Sequence, residues 1–233
     1  MTCRDAIPTS WTDFLRAGPL GIGLDLATTD GPHSNPSALV VMEDYAGQLW
    51  ERLIIAWKTS NEEVTEAMLG LVLDDIRSSG RRPKAACIDA SNETFFAQGL
   101  RKQFGTRCPI YLIKGGENLT HAGETMAAKQ LLGSLYVNEH TDGRINTPAA
   151  PWVKDDRRLV KKQKGLFMTD TDKLGQHGDT FDAGKLARWA LKRAGRVEAG
   201  GASVGGPPST PRDRVPRPFG HLFKAIKRAL HHA

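Results

Sequence analysis

Three aspartates of the sequence lie within or beside apolar segments, where a carboxylate is unusual. Asp25 lies inside the apolar run GIGLDLA, Asp89 ends the apolar part of ACIDAS, and Asp179 opens the helical pattern in HGDTFDAGKLA. Burying a carboxylate among apolar residues is costly unless a cation compensates its charge. Carboxylates without a cysteine pattern nearby suit oxygen-preferring ions such as Mg²⁺ or Mn²⁺. The sequence therefore predicts Asp25, Asp89 and Asp179 as metal ligands, provided that the fold brings them together.

The chemistry of such a site would be phosphodiester hydrolysis. Two divalent ions about 3.5–4 Å apart can activate a water molecule and stabilise the leaving oxygen. Asp182 lies one helical turn after Asp179 on the same face, and His177 precedes the helix. Either residue could join the metal ligands, and His177 could instead transfer protons. The predicted catalytic set is therefore Asp25, Asp89, Asp179, His177 and Asp182.

Two of these acids also have a simpler structural explanation. An aspartate after a strand, followed by Ser91 and Asn92, often forms only a turn or a helix cap. An aspartate at a helix N-terminus is favoured by the helix dipole whether or not it is catalytic. Asp25 has neither role available, because apolar residues flank it on both sides. The three acids together, in this order along the chain, favour the catalytic interpretation.

Apolar patterns around the acids predict the elements that must position them. Three strands joined by short connections come first, and two helix–strand pairs follow. The predicted strands are Leu20–Ala27, Ser37–Glu43, Leu49–Thr59, Ala85–Asp89 and Pro109–Ile113, with one helix between Asn61 and Gly80 and another from Ser91 or Asn92 to Phe104. This order predicts an α/β fold with a mixed five-stranded sheet flanked by helices. Strands one and four are neighbours in such a sheet, and a helix across their ends would let the acids converge.

The second half of the chain is predicted to hold two further helices and a β-hairpin. One helix lies around Glu124–Leu135, and a proline-containing loop follows it. Arg158–Thr169 fits a hairpin that turns at Lys164–Gly165. The last helix runs from Asp179 to Ala194. In the helix after the fourth strand, Phe95 is expected on the buried side.

Composition divides the chain into four segments. Residues 1–19 are a lead-in, 20–194 the folded domain, 195–218 a flexible linker rich in Gly, Pro and Ser, and 219–233 a basic amphipathic helix. Most of the net charge of +6 lies in residues 195–233, which suits an anionic partner without identifying one. The tail helix is expected to dock on a protein partner, although DNA or the domain itself would also suit it. The sequence shows no signal peptide, no membrane-spanning run and no zinc or disulfide pattern among its three cysteines.

Longer segments around the acids carry a resemblance to a known family. They are GIGLDLATTDGPHSNPSALVVME, AWKTS, ACIDASNETFFAQGL, DGRINTPAAPWVKDDRRLVKK and HGDTFDAGKLA, which cover most of residues 21–190. In content and order they resemble the nuclease domain of phage terminase large subunits. The resemblance implies a ribonuclease H-like fold with a two-metal site at Asp25, Asp89 and Asp179. Asp182 falls where related resolvases keep a fourth acid, and Lys161–Lys164 resembles the hairpin beside the DNA groove of this family.

The resemblance also implies a function, cofactors and partners. It implies a Mg²⁺- or Mn²⁺-dependent endonuclease with two divalent cations that cleaves double-stranded, concatemeric viral DNA during genome packaging. The implied partners are DNA, a packaging ATPase, a small terminase and portal proteins, in the cytoplasm of the infected host cell and without a membrane. No G-x-x-x-x-G-K-[ST] phosphate loop is present, so no ATPase activity is expected of this chain. A basic stretch is expected to contact DNA phosphates, or else to be a solvated hairpin face; its residues are Lys154, Arg157, Arg158, Lys161, Lys162 and Lys164.

Two alternative functions remain open from the sequence. The same acids could serve a Holliday-junction resolvase or a transposase-like nuclease of the same fold, which would cut branched DNA or join strands. A non-catalytic DNA-binding or motor-docking module could also keep this fold. Such a module would show no metal dependence and would tolerate the loss of Asp25.

Overall fold

The structure, a computed structural model, describes residues 3–4, 11–29, 31, 34–170 and 177–193. Within them the chain forms a seven-stranded mixed sheet, two small hairpins and five α-helices. The strands are β1 (Cys3–Arg4), β2 (Leu20–Asp25), β3 (Ser37–Tyr45), β4 (Gln48–Trp57), β5 (Pro83–Asp89), β6 (Ile110–Ile113), β7 (Asn118–His121), β8 (Glu124–Ala127), β9 (Ile145–Asn146), β10 (Val160–Gln163) and β11 (Leu166–Thr169). The helices are α1 (Glu62–Ser78), α2 (Thr94–Phe104), α3 (Ala128–Thr141), α4 (Pro151–Arg158) and α5 (Asp179–Lys192), with a 3-10 turn at Trp11–Phe14. The predicted linker and tail helix lie outside the described residues.

The five central strands have the order β4-β3-β2-β5-β6. β2, β3 and β4 form an antiparallel meander, whereas β5 runs parallel to β2, and β6 runs parallel to β5. The two-residue strands β1 and β9 extend the sheet beside β4. Leu24 pairs with Ile88, which brings Asp25 and Asp89 to adjacent strand ends. The predicted mixed sheet is confirmed, and so is the adjacency of its first and fourth strands, which are β2 and β5.

Local sequence explains where several elements begin and turn. The side chain of Asn61 accepts a hydrogen bond from the backbone N–H of Glu63 (2.9 Å) and so caps the start of α1. Lys164 and Gly165 have φ values of 48° and 81°, which close the β10–β11 hairpin with a two-residue turn. The predicted hairpin and its turn are therefore confirmed.

Helices cover both faces of the sheet. α1 and α2 pack on one face, where Trp11, Met68 and Leu100 are buried with apolar side chains of the strands. α3, α4 and α5 contribute to the core on the other face. The indole N–H of Trp11 donates to a carboxylate oxygen of Asp75 (3.0 Å), which attaches the predicted lead-in segment to α1. Among the described helices, none is both long enough and apolar enough to cross a lipid bilayer.

Helix α5 contacts β2 backbone to backbone because β2 carries two glycines. A Cβ atom on Gly23 would lie 1.9 Å from the carbonyl oxygen of Ala183, and one on Gly21 would lie 2.5 Å from that of Ala187. No other residue fits at these positions without moving the helix. As β2 advances, its contacts move toward the start of α5, so the C-terminal end of the strand meets the N-terminal end of the helix.

Residues 118–158 differ from the prediction in two respects. The helix placed around Glu124–Leu135 begins only at Ala128, because residues 118–127 form the β7–β8 hairpin. That hairpin turns at Ala122–Gly123, where both residues have positive φ. Helix α4 replaces part of the predicted loop, since Pro151 stands at its first position, where a proline favours rather than breaks a helix.

Phe95 lies on the solvent side of α2, and the prediction that it is buried is wrong. It is 89% exposed, whereas Phe96, Leu100 and Phe104 are all buried against the sheet. These three residues are spaced by four and define the inner stripe of the helix. Phe95 falls outside that stripe because it is offset from it by one residue.

Candidate metal and active site

Four aspartates, which we call the acidic site, meet where β2 and β5 end and α5 begins. Asp25 and Asp89 are the last residues of their strands, Asp179 is the first residue of α5, and Asp182 follows one turn later. All four, together with His177, line one cavity of about 280 Å³. The structure therefore brings the whole predicted catalytic set to one place.

The pKa of Asp25 shows how strongly the carboxylates affect one another. Burial raises this pKa well above its ordinary value, and the charges of Asp182, Asp89 and Asp179 raise it further. The ammonium group of Lys185 opposes them and lowers the pKa. Ionising all four acids together is therefore unfavourable. A group of acids with so little compensation is more typical of a functional site than of a structural one.

Asp179 is also strongly perturbed. It is 4% exposed, and its pKa is raised to about 8, first by burial and next by the charge of Asp156, with a smaller contribution from Asp182. The backbone N–H of His177 lies 3.4 Å from Oδ2 of Asp179 and lowers the pKa without cancelling the increase. A cation that bound to this carboxylate near neutral pH would displace a proton from it.

Lys185 is a candidate functional residue that the sequence analysis did not identify. Its ammonium group donates to Oδ1 of Asp182, three residues earlier on α5, and its side chain is only 7% exposed. The ammonium also lies 5.9 Å from the centroid of the Phe181 ring. Lys185 lines the same cavity as the four acids and offsets part of their charge. The spacing of Asp182 and Lys185 along a helix was the available signal.

Asp89 combines the structural and the functional interpretation. Its Oδ1 accepts the backbone N–H of Ser91 (2.8 Å), as in the turns that aspartate often forms. The Ser91 hydroxyl in turn accepts the N–H of Gly115 (2.9 Å) and joins this turn to the segment after β6. The side chain of Asp89 nevertheless lines the cavity. The turn therefore holds the carboxylate in position without removing it from the acidic site.

The donors at this site fit a hard divalent cation by their chemistry. In the part of the chain that the structure describes, no three carboxylate, imidazole or thiolate groups form a ready-made metal-binding cluster. Asp25, Asp89 and Asp179 nevertheless present carboxylate oxygens from three separate elements, and Lys185 offsets only part of the negative charge at the site, which suits Mg²⁺ or Mn²⁺. Burial raises the pKa values of the thiols of Cys87 and Cys108 to about 12, so neither offers a thiolate ligand.

Five of the six basic residues predicted to contact DNA are exposed. Arg158 pairs with Asp155 at 3.6 Å and Lys161 pairs with Asp170, yet all four side chains are more than half exposed. Strand β11 leads from this surface to Thr169, which lines the cavity of the acidic site. The basic surface and the acidic site are therefore connected by a single strand. The exposed members are Lys154, Arg158, Lys161, Lys162 and Lys164.

Arg157 requires a correction, because it points into the protein. Its two terminal nitrogens donate to the two carboxylate oxygens of Glu51, both at 2.9 Å, and the side chains are 14% and 0% exposed. Tyr136 and Thr147 donate to the same carboxylate, at 2.5 and 2.7 Å. We call these four residues the Glu51 cluster. Arg157 is thus part of a buried ion pair and is not available to a DNA phosphate.

The strand order, the parallel β2–β5 pair and the acid-bearing helix across its end define a ribonuclease H-like fold, as the resemblance implied. Neither a family model nor a curated protein matches the sequence. The structure is similar to solved structures of terminases.

The large terminase from a thermophilic bacteriophage has a TM-score of 0.51 at 13% identity, over 78% of this chain and 41% of that chain. The complex of the same terminase with ATP-gamma-S gives 0.50 at 14% identity, over 78% and 41%. The nuclease domain of the bacteriophage SPP1 large terminase with bound Mn gives 0.45 at 17% identity, over 79% and 92%. The chain therefore has the fold of part of a bacteriophage large terminase and spans about two fifths of the protein from the thermophilic phage.

Proposed function

We propose that this chain is a metal-dependent endonuclease that cleaves double-stranded viral DNA during genome packaging. The observation that carries the proposal is the convergence of four aspartates on one cavity at the strand ends of a ribonuclease H-like sheet. The fold shared with the large terminase of the thermophilic bacteriophage supports the packaging context. Hydrolysis with two metal ions is the reaction that this set of acids suits best.

Asp25, Asp89 and Asp179 are the residues that would hold two cations, Mg²⁺ or Mn²⁺, with Asp182 as the next candidate. Such ions, when bound, would activate a water molecule and stabilise the leaving oxygen of the phosphodiester. Aspartate suits this role better than asparagine, because the amide has a similar shape but no charge to neutralise the ions. Burial and, after it, repulsion from the neighbouring carboxylates raise the pKa of Asp25, and bound cations would relieve that repulsion.

His177 and Lys185 complete the chemistry of the cavity. His177 lines the cavity two residues before Asp179, and an imidazole nitrogen can accept or donate a proton. We assign to it the transfer of protons between the reacting oxygens and the solvent. Lys185 holds the carboxylate of Asp182 by a charge-assisted hydrogen bond and so fixes its orientation.

The exposed basic residues of α4 and the β10–β11 hairpin would bind the DNA backbone. Lysine and arginine contacts to phosphates supply affinity without reading the base sequence. Because β11 ends at Thr169 beside the cavity, a duplex lying along the hairpin would present a phosphate to the acidic site. The proposed substrate is therefore double-stranded DNA held by its backbone.

The partners of the proposed nuclease follow from the packaging context. The sequence has no phosphate-loop motif, so the ATPase that moves the DNA would reside outside these 233 residues. A small terminase and portal proteins would complete the assembly. The proposed location is the cytoplasm of the infected host cell.

Plasmid cleavage by the purified chain tests this function. Supercoiled plasmid, linear duplex and a four-way junction would be incubated with Mn²⁺, Mg²⁺ or EDTA. We expect cutting of both duplex substrates with either metal and none in EDTA. Asp89→Asn should abolish cutting while the fold is kept, and Asp142→Asn, an exposed acid at the far end of α3, should cut like the wild type.

Four outcomes would contradict the proposal. Cutting in EDTA, or undiminished cutting by Asp89→Asn, would remove the metal-dependent acidic site. A strong preference for the four-way junction would assign the chain to the resolvases. A folded protein that binds DNA but never cuts it, with either metal, would make the chain a docking module.

A further inference from the structure

Helix α5 has no capping side chain of its own. Gly178 occupies its N-cap position with φ of 79° and offers no side chain to the first turn. A Cβ atom at this position would lie 2.3 Å from Cγ2 of Val160, at the base of the hairpin. The usual capping residues, Ser, Thr, Asp and Asn, are therefore excluded there by both space and backbone conformation. The free N–H groups of the helix start must be satisfied from elsewhere.

Asp156 on α4 supplies the missing cap. Its Oδ1 accepts the backbone N–H of Gly178 (3.1 Å), and its Oδ2 accepts both the backbone N–H and the hydroxyl of Thr180 (2.9 and 2.6 Å). Asp156 is 2% exposed and Thr180 is 1% exposed. The three hydrogen bonds enclose Asp179, the first residue of the helix, between two anchored neighbours. Asp156 therefore controls the backbone that carries a candidate metal ligand.

Asp156 is itself held rigidly by the residue that follows it. Arg157 is bound by both oxygens of Glu51 on β4, so α4 is fixed to the sheet at the same point where it caps α5. Val153, one turn earlier, is 2% exposed and packs in the core on this face. Helix α4 thus connects the sheet to the start of α5 through two adjacent residues. Arg157 binds Glu51 of the sheet, and Asp156 binds the first turn of α5.

Asp156 is not one of the residues that line the acidic cavity. Both of its carboxylate oxygens accept hydrogen bonds from the helix start, so each oxygen already has a partner there. We infer that Asp156 is a positioning residue that caps α5 from α4 and thereby sets the geometry with which Asp179 binds a divalent cation. This inference rests on the proposed function, because it concerns the ligands of the same metal site.

The removal of this cap should weaken metal binding. In Asp156→Asn, one acceptor oxygen becomes an NH₂ group, which faces the N–H donors of the helix instead of accepting from them. We expect the affinity for Mn²⁺, measured by titration calorimetry on the full chain, to fall by roughly 10- to 100-fold, the usual effect of losing a residue that orients a ligand. The matched control is Asp155→Asn on the same helix, where the side chain is 67% exposed, and its Mn²⁺ affinity should equal that of the wild type.

Two further variants keep the test decisive if Asp156→Asn folds poorly, and both keep the charge of Asp156, which itself raises the pKa of Asp179. Thr180→Val removes only the hydroxyl donor to Asp156 at nearly constant volume, and it should weaken Mn²⁺ binding by a few-fold. Val153→Ala loosens α4 by a cavity without touching the cap, so it should lower the melting temperature and leave Mn²⁺ affinity unchanged. This difference separates a positioning role from a general structural one.

Three outcomes would overturn the inference, and the last of them would overturn the proposed function as well. Equal Mn²⁺ affinity of Asp156→Asn and Asp155→Asn would overturn the inference while leaving the proposed nuclease intact. Equal losses of affinity in Val153→Ala and Asp156→Asn would also overturn it, because any loosening of α4 would then suffice. Failure of the folded wild type to bind Mn²⁺ at all would overturn the proposed function, and this inference with it.

Discussion

Helix α5 contacts two groups of charged side chains whose carboxylates have pKa values shifted in opposite directions. The acidic site lies at its N-terminal end, where four carboxylates share one cavity. The Glu51 cluster lies against its middle, since a Cβ atom on Gly184 would come within 2.3 Å of the Tyr136 hydroxyl and 3.2 Å of Oε1 of Glu51. Glu51 is 3% exposed and Asp179 is 4% exposed, whereas Asp25, Asp89 and Asp182 are half-buried.

The acidic site and the Glu51 cluster differ in how far neighbouring groups compensate the carboxylate charge. Burial raises the pKa of Glu51, but the paired charge of Arg157 and hydrogen bonds from Arg157, Tyr136 and Thr147 outweigh it, and the net shift is downward. At Asp25 burial and three neighbouring carboxylates act in the same direction, and the pKa rises. Burial alone therefore does not mark a functional acid. A functional acid is indicated when it is shielded from solvent beside other acids, because a bound cation can then compensate their charges.

The largest effect is expected from Asp25→Asn, which should separate stability from activity. The substitution removes a charge that its neighbours oppose, so the metal-free protein should unfold at an equal or higher temperature than the wild type. DNA cleavage should fall by on the order of a thousandfold or more, as for other essential catalytic groups. Thermal unfolding in EDTA and plasmid cleavage in Mn²⁺ measure the two quantities. A lower melting temperature would show that the charge of Asp25 is already compensated. The contrast between the acidic site and the Glu51 cluster would then be wrong.

Glu51→Gln should give the opposite result to Asp25→Asn. It leaves Arg157 buried without its partner, which typically costs about 3–5 kcal/mol of unfolding free energy. Urea unfolding measures this loss. The control is Asp74→Asn, which breaks the pair with Arg107 at a side chain that is 55% exposed and should cost less than about 1 kcal/mol. Similar losses in both variants would mean that the Glu51 cluster is not the structural anchor that its contacts indicate.

The last effect is gradual and concerns pH: it changes the free energy of unfolding by at most about 1.4 kcal/mol for each pH unit. The folded pKa of Asp179 is about 8 against an ordinary value of 3.8, so between these values the unfolded chain binds fewer protons than the folded one. The stability from Asp179 is therefore complete below pH 3.8 and is lost as the pH rises through 8. Glu51 has a lowered pKa, so its contribution is present above its ordinary value of 4.5 and is lost at lower pH.

Urea unfolding in EDTA from pH 4 to pH 9 tests the predicted pH dependence of the contribution of Asp179. The wild type should lose stability relative to Asp179→Asn as the pH rises, because the variant has no carboxyl group to titrate at that position. Saturating Mn²⁺ should abolish this trend. A constant difference between the two proteins over the whole range would contradict the raised pKa of Asp179.

The sequence predicted the parts of this structure that strong local patterns encode. The five strands, α5 and the β10–β11 hairpin follow from apolar runs and from the Lys164–Gly165 turn. The acids of the site could be found because a charge inside an apolar run, as at Asp25, is conspicuous. The β7–β8 hairpin was missed because its strands are short and half exposed, and because the residues around Glu124 also suit a helix.

What the sequence did not reveal were contacts between distant residues. Arg157 looks like any other member of its basic stretch, and only the fold shows that Glu51, 106 residues earlier, binds it. Asp156 likewise gives no local sign that it caps a helix 22 residues later. Such roles depend on which elements are neighbours in space, and the spacing of residues along the chain does not contain that information.

A transplant of the acidic site onto another protein would need more than four aspartates. Gly21 and Gly23 leave the strand bare where α5 crosses it, so helix and strand touch without any side chain between them. In a host protein with valine or leucine at those positions, the helix would lie farther from the sheet. The added methyl groups would separate the acids of the helix from Asp25. The graft would carry every ligand and still hold the cations poorly. The distance between Asp25 and the acids of α5 thus depends on the absence of side chains at Gly21 and Gly23.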